Sequence, residues 1–214
     1  MKKLLIFDFD GTLFDTVDDV VICFNKALTI HEFPALTHDE YIERLGGNID
    51  EIVSLILKEK NTPENIDLIK NTYQKLYNSS QKTHSLPFPK IHETLKELQD
   101  NGMLVAINSN RTTDSIKNFV NRYLGDIDFL DIEGHNPDYP SKPSPVGVNN
   151  LIRKANVARD EAIYIGDSET DIKTAKNAGI DCVIVKWGYG GEKDYCDGYP
   201  IGVIDDVCQL MDLI

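Results

Sequence analysis

Short apolar runs of four to six residues recur along the chain, and amphipathic helical patterns separate them. Parallel sheets have this signature, because both faces of their strands are buried and crossover helices connect them. The pattern predicts an α/β fold with a doubly wound, mostly parallel sheet. The runs predicted as strands are Leu4–Phe9, Leu104–Asn108, Phe129–Ile132, Ala162–Ile165, Cys182–Val185 and a weaker one at Ile201–Ile204.

Three helices between these strands are marked by proline near the start or glycine after the end. They are predicted at Ile91–Asn101, Pro145–Asn156 and Thr170–Ala178, with Gly102 and Gly179 closing the first and the third. Residues 15–85 break the alternation, because they contain amphipathic segments and no convincing strand. We therefore expect an all-helical insertion at 15–85 in a sheet domain formed by 1–14 and 86–214. Its predicted helices are Val17–Ile30, Asp39–Arg44, Asp50–Lys60 and Pro63–Ser79.

The 214 residues include 35 acidic and 22 basic side chains, a formal net charge of −13. That charge disfavours nucleic-acid polymers and anionic membranes, so a small partner is expected. The four cysteines form no CxxC pair, which favours a reducing compartment. The initial apolar run stops at Asp8, too early for a signal peptide, and no run approaches a membrane span. We expect a cytoplasmic protein; the sequence leaves its oligomeric state open.

The strongest motif is Asp8-Phe9-Asp10-Gly11-Thr12, at the carboxyl end of the first predicted strand. Alternate residues of a strand face the same side, so both carboxylates can point into the crevice where open parallel sheets bind ligands. Two carboxylates this close repel each other unless they share a cation or one is protonated, which points to Mg²⁺. The plainer interpretation is an acidic turn, since Asp-Gly is a common turn pair.

A second acidic cluster, Gly166-Asp167-Ser168-Glu169-Thr170-Asp171, follows another predicted strand. Asp167 is expected at the same edge as Asp8, and Asp171 one helical turn further on can reach the same cavity. Helix capping explains these acids equally well when they are taken alone. Convergence of carboxylates from separate segments is, however, what a hard cation requires.

Two further positions suit a phosphate. Ser109 follows a predicted strand, and its hydroxyl, with the amides of Asn110 and Arg111, could bind phosphoryl oxygens. Lys142 lies in a proline-rich loop that could fix its charge against a phosphate and the carboxylates. A helix cap and a surface lysine are the ordinary alternatives for these two residues.

The order Asp8-x-Asp10-Gly11-Thr12, Ser109, Lys142-Pro143 and Gly166-Asp167-x-x-x-Asp171 resembles the four motifs of the haloacid dehalogenase (HAD) superfamily of phosphohydrolases. The helical insertion resembles the cap of its phosphoglycolate phosphatase-like branch. The resemblance implies a Rossmann-like core with an α-helical cap. It also implies a Mg²⁺-dependent phosphatase acting on a small phosphomonoester. Arg111 departs from the lysine common in phosphoglycolate phosphatases, so the substrate of those enzymes cannot be assumed.

The resemblance also assigns roles to residues. Asp8 would be the nucleophile that forms an aspartyl phosphate, and Asp10 would act as acid and then as base. Mg²⁺ would be bound by Asp8, the Asp10 carbonyl and Asp167, with Asp171 supporting the metal waters or Lys142. The catalytic residues implied are Asp8, Asp10, Ser109 and Lys142. The substrate-binding residues implied are Ser109, Asn110, Lys142, Arg44 and Asn48, and the metal-binding residues are Asp8, Asp10, Asp167 and Asp171.

The segment Leu45-Gly46-Gly47-Asn48-Ile49, preceded by Arg44, resembles the cap loop that faces the active site in this branch. Arg44 and Asn48 could there contact the non-phosphate part of a substrate. The alternative is a helix–helix turn with Gly47 as a C-cap and Asn48 starting the next helix. The segment Gly188-Tyr189-Gly190-Gly191 lacks the spacing of a dinucleotide fingerprint and is interpreted as a flexible loop.

Two other functions stay open. A phosphosugar mutase of the same superfamily would return the phosphoryl group to the substrate instead of to water. A phospho-accepting signalling module also groups an aspartate, an acidic pair, a hydroxyl and a lysine, but in another order and without a cap. A long-lived acyl phosphate would distinguish the signalling module.

Overall fold

The computed structural model describes residues 1–45 and 47–214. The chain forms two compact units, one of Met1–Phe14 with Pro87–Ile214 and one of Asp15–Leu86. The strands are β1 (Leu4–Phe7), β2 (Phe14–Asp15), β3 (Leu86–Pro87), β4 (Leu104–Thr112), β5 (Ile132–His135), β6 (Ala162–Gly166), β7 (Asp181–Val185) and β8 (Gly202–Ile204). The helices are α1 (Val17–Ile30), α2 (His38–Ile42), α3 (Ile49–Leu57), α4 (Pro63–Ser79), α5 (Ile91–Asp100), α6 (Thr113–Tyr123), α7 (Val146–Ala155), α8 (Glu169–Ala178) and α9 (Glu192–Tyr195).

The first unit is built on a six-stranded sheet in the order β5-β4-β1-β6-β7-β8. Every neighbouring pair in it is parallel, which confirms the predicted sheet class. Strands β4 and β5 lie on one side of β1, and β6, β7 and β8 lie on the other. The direction of winding therefore reverses at β1, and such switch points are where open α/β sheets bind ligands.

Both faces of β1 are buried, and its four residues are at most 1% exposed. Because successive side chains of a strand point to opposite faces, Leu5 and Phe7 pack with residues of α5 and α6. Leu4 and Ile6 pack on the other face with residues of α7 and α8. Helices therefore cover both faces of the sheet at β1, and the first buried polar side chain after this strand is Asp8.

Most predicted elements of this unit lie within a residue or two of the observed ones. The clearest difference is the strand predicted at Phe129–Ile132, which is β5 at Ile132–His135. Phe129 and Leu130 are half-buried against the core, so their apolarity marks where the chain enters it. The strand itself begins at Ile132 and continues through Glu133 to His135, which are polar. Helix α6 was not predicted.

The second unit is helical in its described residues, apart from the strand residues at its two ends. Helices α1 and α4 have the predicted bounds, and the Phe24 and Tyr73 rings stack between them with centroids 3.7 Å apart. The segment predicted at Asp50–Lys60 divides at Lys58, whose φ of 53° ends α3 before a short 3-10 turn. Asp39–Arg44 is the shorter α2.

All four cysteines are free thiols. Within the described part of the chain, no helix has both the length and the apolarity needed to cross a bilayer.

A pair of leucine substitutions tests how far the sheet depends on burial of β1. Leu5 is fully buried, whereas Leu104 at the start of β4 is 37% exposed. Leu5→Ala should lower the free energy of unfolding by about 2–5 kcal/mol, because it leaves a cavity in the core. Leu104→Ala should cost roughly 1 kcal/mol or less. Urea denaturation measures both, and equal losses would contradict the placement of β1 at the centre of the core.

Candidate active site

The acidic motif leaves β1 at the switch point of the sheet. Phe7 pairs with Ile107 of β4 and Ile165 of β6, and the Asp8 amide donates to the Ile165 carbonyl at 2.8 Å. Asp8 therefore lies at the same edge of the sheet as the residues that follow β6. Gly11 has a φ of 78°, and a Cβ there would collide with Asp167 Oδ2. Glycine at this position lets the turn lie directly against the second acidic cluster.

Lys142 joins two buried carboxylates from different segments. Its Nζ lies 2.8 Å from Asp8 Oδ1 and 2.7 Å from Asp171 Oδ1. Burial lowers the pKa of Lys142, but the carboxylates of Asp171 and Asp8 outweigh burial and hold it well above its usual range. The lysine is thus a fixed positive charge, as the proline-rich loop suggested, and the Tyr164 ring lies 5.8 Å from its Nζ.

Asp171 has both carboxylate oxygens engaged by the protein. Oδ1 accepts from Lys142, and Oδ2 accepts from the Asp167 amide at 3.1 Å, the Ser168 amide at 3.1 Å and the Ser168 hydroxyl at 2.9 Å. This residue therefore caps α8 and holds Lys142 at once. The capping interpretation is confirmed, and the contact with Lys142 shows that the same carboxylate also reaches the acidic cluster.

Asp167 of the second acidic cluster packs against Gly11 of the first motif. Its Oδ2 accepts from the Tyr189 amide at 2.6 Å, and its side chain is buried. Burial, together with the charges of Asp171 and Asp8, raises the pKa of Asp167 well above its usual range. Burial is also the largest cause that raises the pKa of Asp8, to about 7, against the opposing effect of Lys142.

The donor set fits a hard divalent cation. Asp8, Asp167 and Asp171 each offer an oxygen within 4.8 Å of the others. Asp8 Oδ1 is buried and is ion-paired with Lys142. This one ammonium faces three buried carboxylates, and a divalent cation bound beside them would offset the negative charge that remains.

Ser109 and Asn110 lie within β4 rather than after it, because that strand extends to Thr112. The Ser109 hydroxyl accepts from the Arg111 amide at 3.2 Å and donates to none of the described residues, so its hydrogen can bind a ligand oxygen. The Asn110 side chain accepts from the Lys142 amide at 2.8 Å and donates to the Lys142 carbonyl at 3.4 Å. Asn110 therefore fixes the loop that carries the lysine.

The side chain of Arg111 has a role that the sequence did not predict, since only its backbone amide and its departure from lysine were noted. Its guanidinium forms an ion pair with Asp10, with Nη2 2.6 Å from Oδ1. Its place two residues after Ser109, at the carboxyl end of the strand beside β1, is the signal that could have identified it.

The glycine loop after β7 is a second feature to which the sequence analysis gave no role. Its Tyr189 amide holds Asp167, and a Cβ at Gly188 or Gly190 would collide with the backbone or side chain of Asp167 or Gly11. The glycines therefore permit close packing on the acidic cluster. Trp187 donates from Nε1 to the Thr12 carbonyl at 3.0 Å and ties this loop to the first motif.

The two predicted substrate-binding residues of the helical insertion have local roles in the second unit. Asn48 caps α3, its Oδ1 accepting from the Asp50 and Glu51 amides at 3.0 and 3.1 Å, as the helix–helix interpretation predicts. Arg44 donates to the Glu40 carbonyl. Helix α2 ends at Ile42, so Gly47 is not its C-cap, and Gly46 lies outside the described residues.

Comparison with known proteins places this geometry in a family. A family model described as haloacid dehalogenase-like hydrolase matches residues 5–185. A phosphoglycolate phosphatase from Vibrio vulnificus is 30% identical, over 99% of this chain and 96% of its own length.

Two solved structures are also similar over nearly the whole chain. A protein from Lactobacillus delbrueckii, proposed to be a phosphoglycolate phosphatase, is 25% identical with a TM-score of 0.92, over 100% of this chain and 99% of its own. A protein from Bacteroides fragilis, proposed to be a haloacid dehalogenase-like hydrolase, is 27% identical with a TM-score of 0.90, over 98% of this chain and 100% of its own. With the motif order and the parallel sheet, these matches show that the chain belongs to the haloacid dehalogenase-like hydrolase family, in its phosphoglycolate phosphatase-like branch, and is a phosphoric monoester hydrolase.

Proposed function

We propose that the protein is a Mg²⁺-dependent phosphatase that hydrolyses a small phosphomonoester through an aspartyl phosphate on Asp8. The observation that carries the proposal is the buried contact of Lys142 with Asp8 and Asp171, next to Asp167. It combines a desolvated carboxylate with a fixed cation at the switch point of the sheet. A small substrate agrees with the net charge of −13, which repels extended polyanions.

Asp8 is the proposed nucleophile because its carboxylate is buried and held in place. Desolvation raises its pKa to about 7 and so makes the ionised form more reactive than an exposed carboxylate. Attack on phosphorus forms the acyl phosphate and expels the alcohol, and attack by water then releases inorganic phosphate. The covalent step divides one difficult displacement into two easier ones.

Ser109 and Lys142 are the proposed ligands of the transferring phosphoryl group. The Ser109 hydroxyl can donate to a phosphoryl oxygen, and the ammonium of Lys142 already lies 2.8 Å from the proposed nucleophile. Phosphoryl transfer depends mainly on positioning and on stabilisation of oxygen charge, which these two groups supply. Asn110 contributes through its hold on the Lys142 backbone.

Asp10 is the proposed acid and base. Its carboxyl would protonate the leaving alcohol in the first half-reaction and take a proton from water in the second. It lies two residues from the nucleophile and is 30% exposed, whereas Asp8 is only 10% exposed. The two carboxyls of one motif therefore lie in different environments, as different roles require.

Asp8, Asp167 and the Asp10 carbonyl are the proposed Mg²⁺ ligands. The Asp171 carboxylate, which binds Lys142 and the start of α8, is assigned to their support. When bound, Mg²⁺ would offset the negative charge that the nucleophile and the phosphate bring together.

A cytoplasmic location remains a prediction; the free cysteines agree with it.

Asparagine at position 8 tests the nucleophile. Asp8→Asn keeps the shape of the side chain but removes the attacking charge, so turnover should fall on the order of 10⁴-fold or more. Asp100→Asn is the matched control at an exposed position. Phosphate release, with circular dichroism to check folding, measures the effect. Activity within about tenfold of the unsubstituted enzyme would exclude Asp8 as nucleophile.

Calorimetry tests the metal site independently of activity. A protonated carboxyl does not bind Mg²⁺, and the pKa values of Asp8, about 7, and of Asp167 are raised in the metal-free protein. Mg²⁺ should therefore bind more tightly at pH 8 than at pH 6 and release protons at pH 7. Titration in two buffers of different ionisation enthalpy measures both. Absence of binding, or an affinity independent of pH, would contradict the assignment.

A phosphate-release screen with 2-phosphoglycolate, sugar phosphates, nucleotides and pyrophosphate tests the substrate class. We expect Mg²⁺-dependent release from at least one small phosphomonoester, abolished by EDTA and restored by added Mg²⁺. Sugar isomers that appear without free phosphate, and only after priming by a sugar bisphosphate, would support the mutase instead. An acyl phosphate that persists for minutes after treatment with a phosphodonor would support the signalling module.

A further inference from the structure

The guanidinium of Arg111 is anchored on several sides within its own unit. Its Nη1 donates to Ser115 Oγ at 3.1 Å, and its Cζ lies 5.6 Å from the Phe9 ring and 5.7 Å from the Phe119 ring. Its side chain is only 10% exposed. Aromatic rings and a hydrogen bond on the same guanidinium restrict its plane and its rotation.

This anchored group contacts both oxygens of Asp10. Nε lies 3.1 Å from Oδ1 and 3.0 Å from Oδ2, and Nη2 lies 2.6 Å from Oδ1. All three guanidinium nitrogens therefore contact protein oxygens. A planar fork that meets both oxygens of a carboxylate defines the orientation of that carboxylate as well as its position.

We propose that Arg111 is the positioning residue of Asp10, which it orients for proton exchange with the leaving alcohol and the attacking water. The inference rests on the proposed function, because it assigns Asp10 the acid–base role. Proton transfer requires a defined donor direction, and the guanidinium fork sets that direction for a carboxyl that is 30% exposed in a turn after a strand. A guanidinium stays protonated throughout, so it orients the carboxyl without exchanging the proton itself.

Arginine is specifically suited to this task. Lysine at position 111 would keep the positive charge but lose the planar fork and the contacts of the guanidinium with the Phe9 and Phe119 rings. The alternative role for Arg111 is direct binding of the substrate's phosphate, which would need the guanidinium to leave Asp10. The two roles predict different dependences on the leaving group.

The test compares an aliphatic ester with an aryl ester. The leaving alcohol of 2-phosphoglycolate, or of the aliphatic monoester hydrolysed fastest in the screen, needs a proton, whereas p-nitrophenolate leaves without one. Arg111→Met should lower kcat/KM for the aliphatic ester by about 100-fold, the size of a lost general-acid contribution. For p-nitrophenyl phosphate, kcat/KM should change by less than about threefold, because it reports the steps through loss of that leaving group.

Matched variants separate orientation from charge and from folding. Arg122→Met removes the same charge from α6 at an exposed position and should leave both esters unaffected. Arg111→Lys should resemble Arg111→Met on the aliphatic ester; activity at the unsubstituted level in Arg111→Lys would overturn the orientation argument. Circular dichroism checks that each variant is folded. If Arg111→Met does not fold, Arg111→Lys takes its place in the comparison of the two esters.

A double-mutant cycle tests whether Arg111 acts through Asp10. In an Asp10→Asn background, Arg111→Met should cause no further loss on the aliphatic ester, because the group that it orients is already inactive. Independent, multiplicative losses, or equal losses on both esters, would overturn the inference and indicate phosphate binding. Failure of the unsubstituted enzyme to hydrolyse either ester with Mg²⁺ would instead overturn the proposed function.

Discussion

The ion pairs of Lys142 with Asp8 and Asp171 are the interaction on which the rest of the site depends. Three carboxylates buried at one strand edge would repel each other strongly, and one buried ammonium compensates part of that charge. The lysine is held by Asn110 through its backbone and by Asp171 through its side chain. Segments that are distant in sequence thereby become one electrostatic unit.

Close packing of backbone around the acids is the second condition. Gly11, Gly188 and Gly190 lie where any side chain would collide with Asp167 or its neighbours. The absence of side chains there lets the turn after β1 and the loop after β7 enclose the same carboxylate. Enclosure excludes water, and desolvation is the largest cause that raises the pKa values of Asp8 and Asp167. The geometry thus produces the desolvated carboxylates on which the proposed nucleophile and the proposed cation site depend.

The fold was predictable because its strands are apolar runs bounded by turn residues, and strand ends place Asp8 and Asp167 at one edge. Contacts that depend on side-chain direction were only partly predictable: the approach of Lys142 to the carboxylates was expected. The position of Arg111 places it near the site, but nothing in the spacing indicates that its guanidinium binds Asp10, or that the Tyr189 amide binds Asp167. The predicted bounds of β5 lie before the observed ones for a similar reason. The apolar residues Phe129 and Leu130 lie where the chain enters the core, whereas the strand itself ends in polar residues.

The proposed mechanism requires that Asp8 becomes phosphorylated. The most direct measurement uses Asp10→Asn with p-nitrophenyl phosphate, in which the leaving group needs no acid and the acyl phosphate lacks its base. Acid quenching followed by borohydride reduction converts an aspartyl phosphate to homoserine, which peptide mass spectrometry locates. We expect homoserine at position 8 together with a burst of nitrophenolate. A burst of nitrophenolate with an unmodified Asp8, or with the reduced residue at another position, would contradict phosphorylation of Asp8.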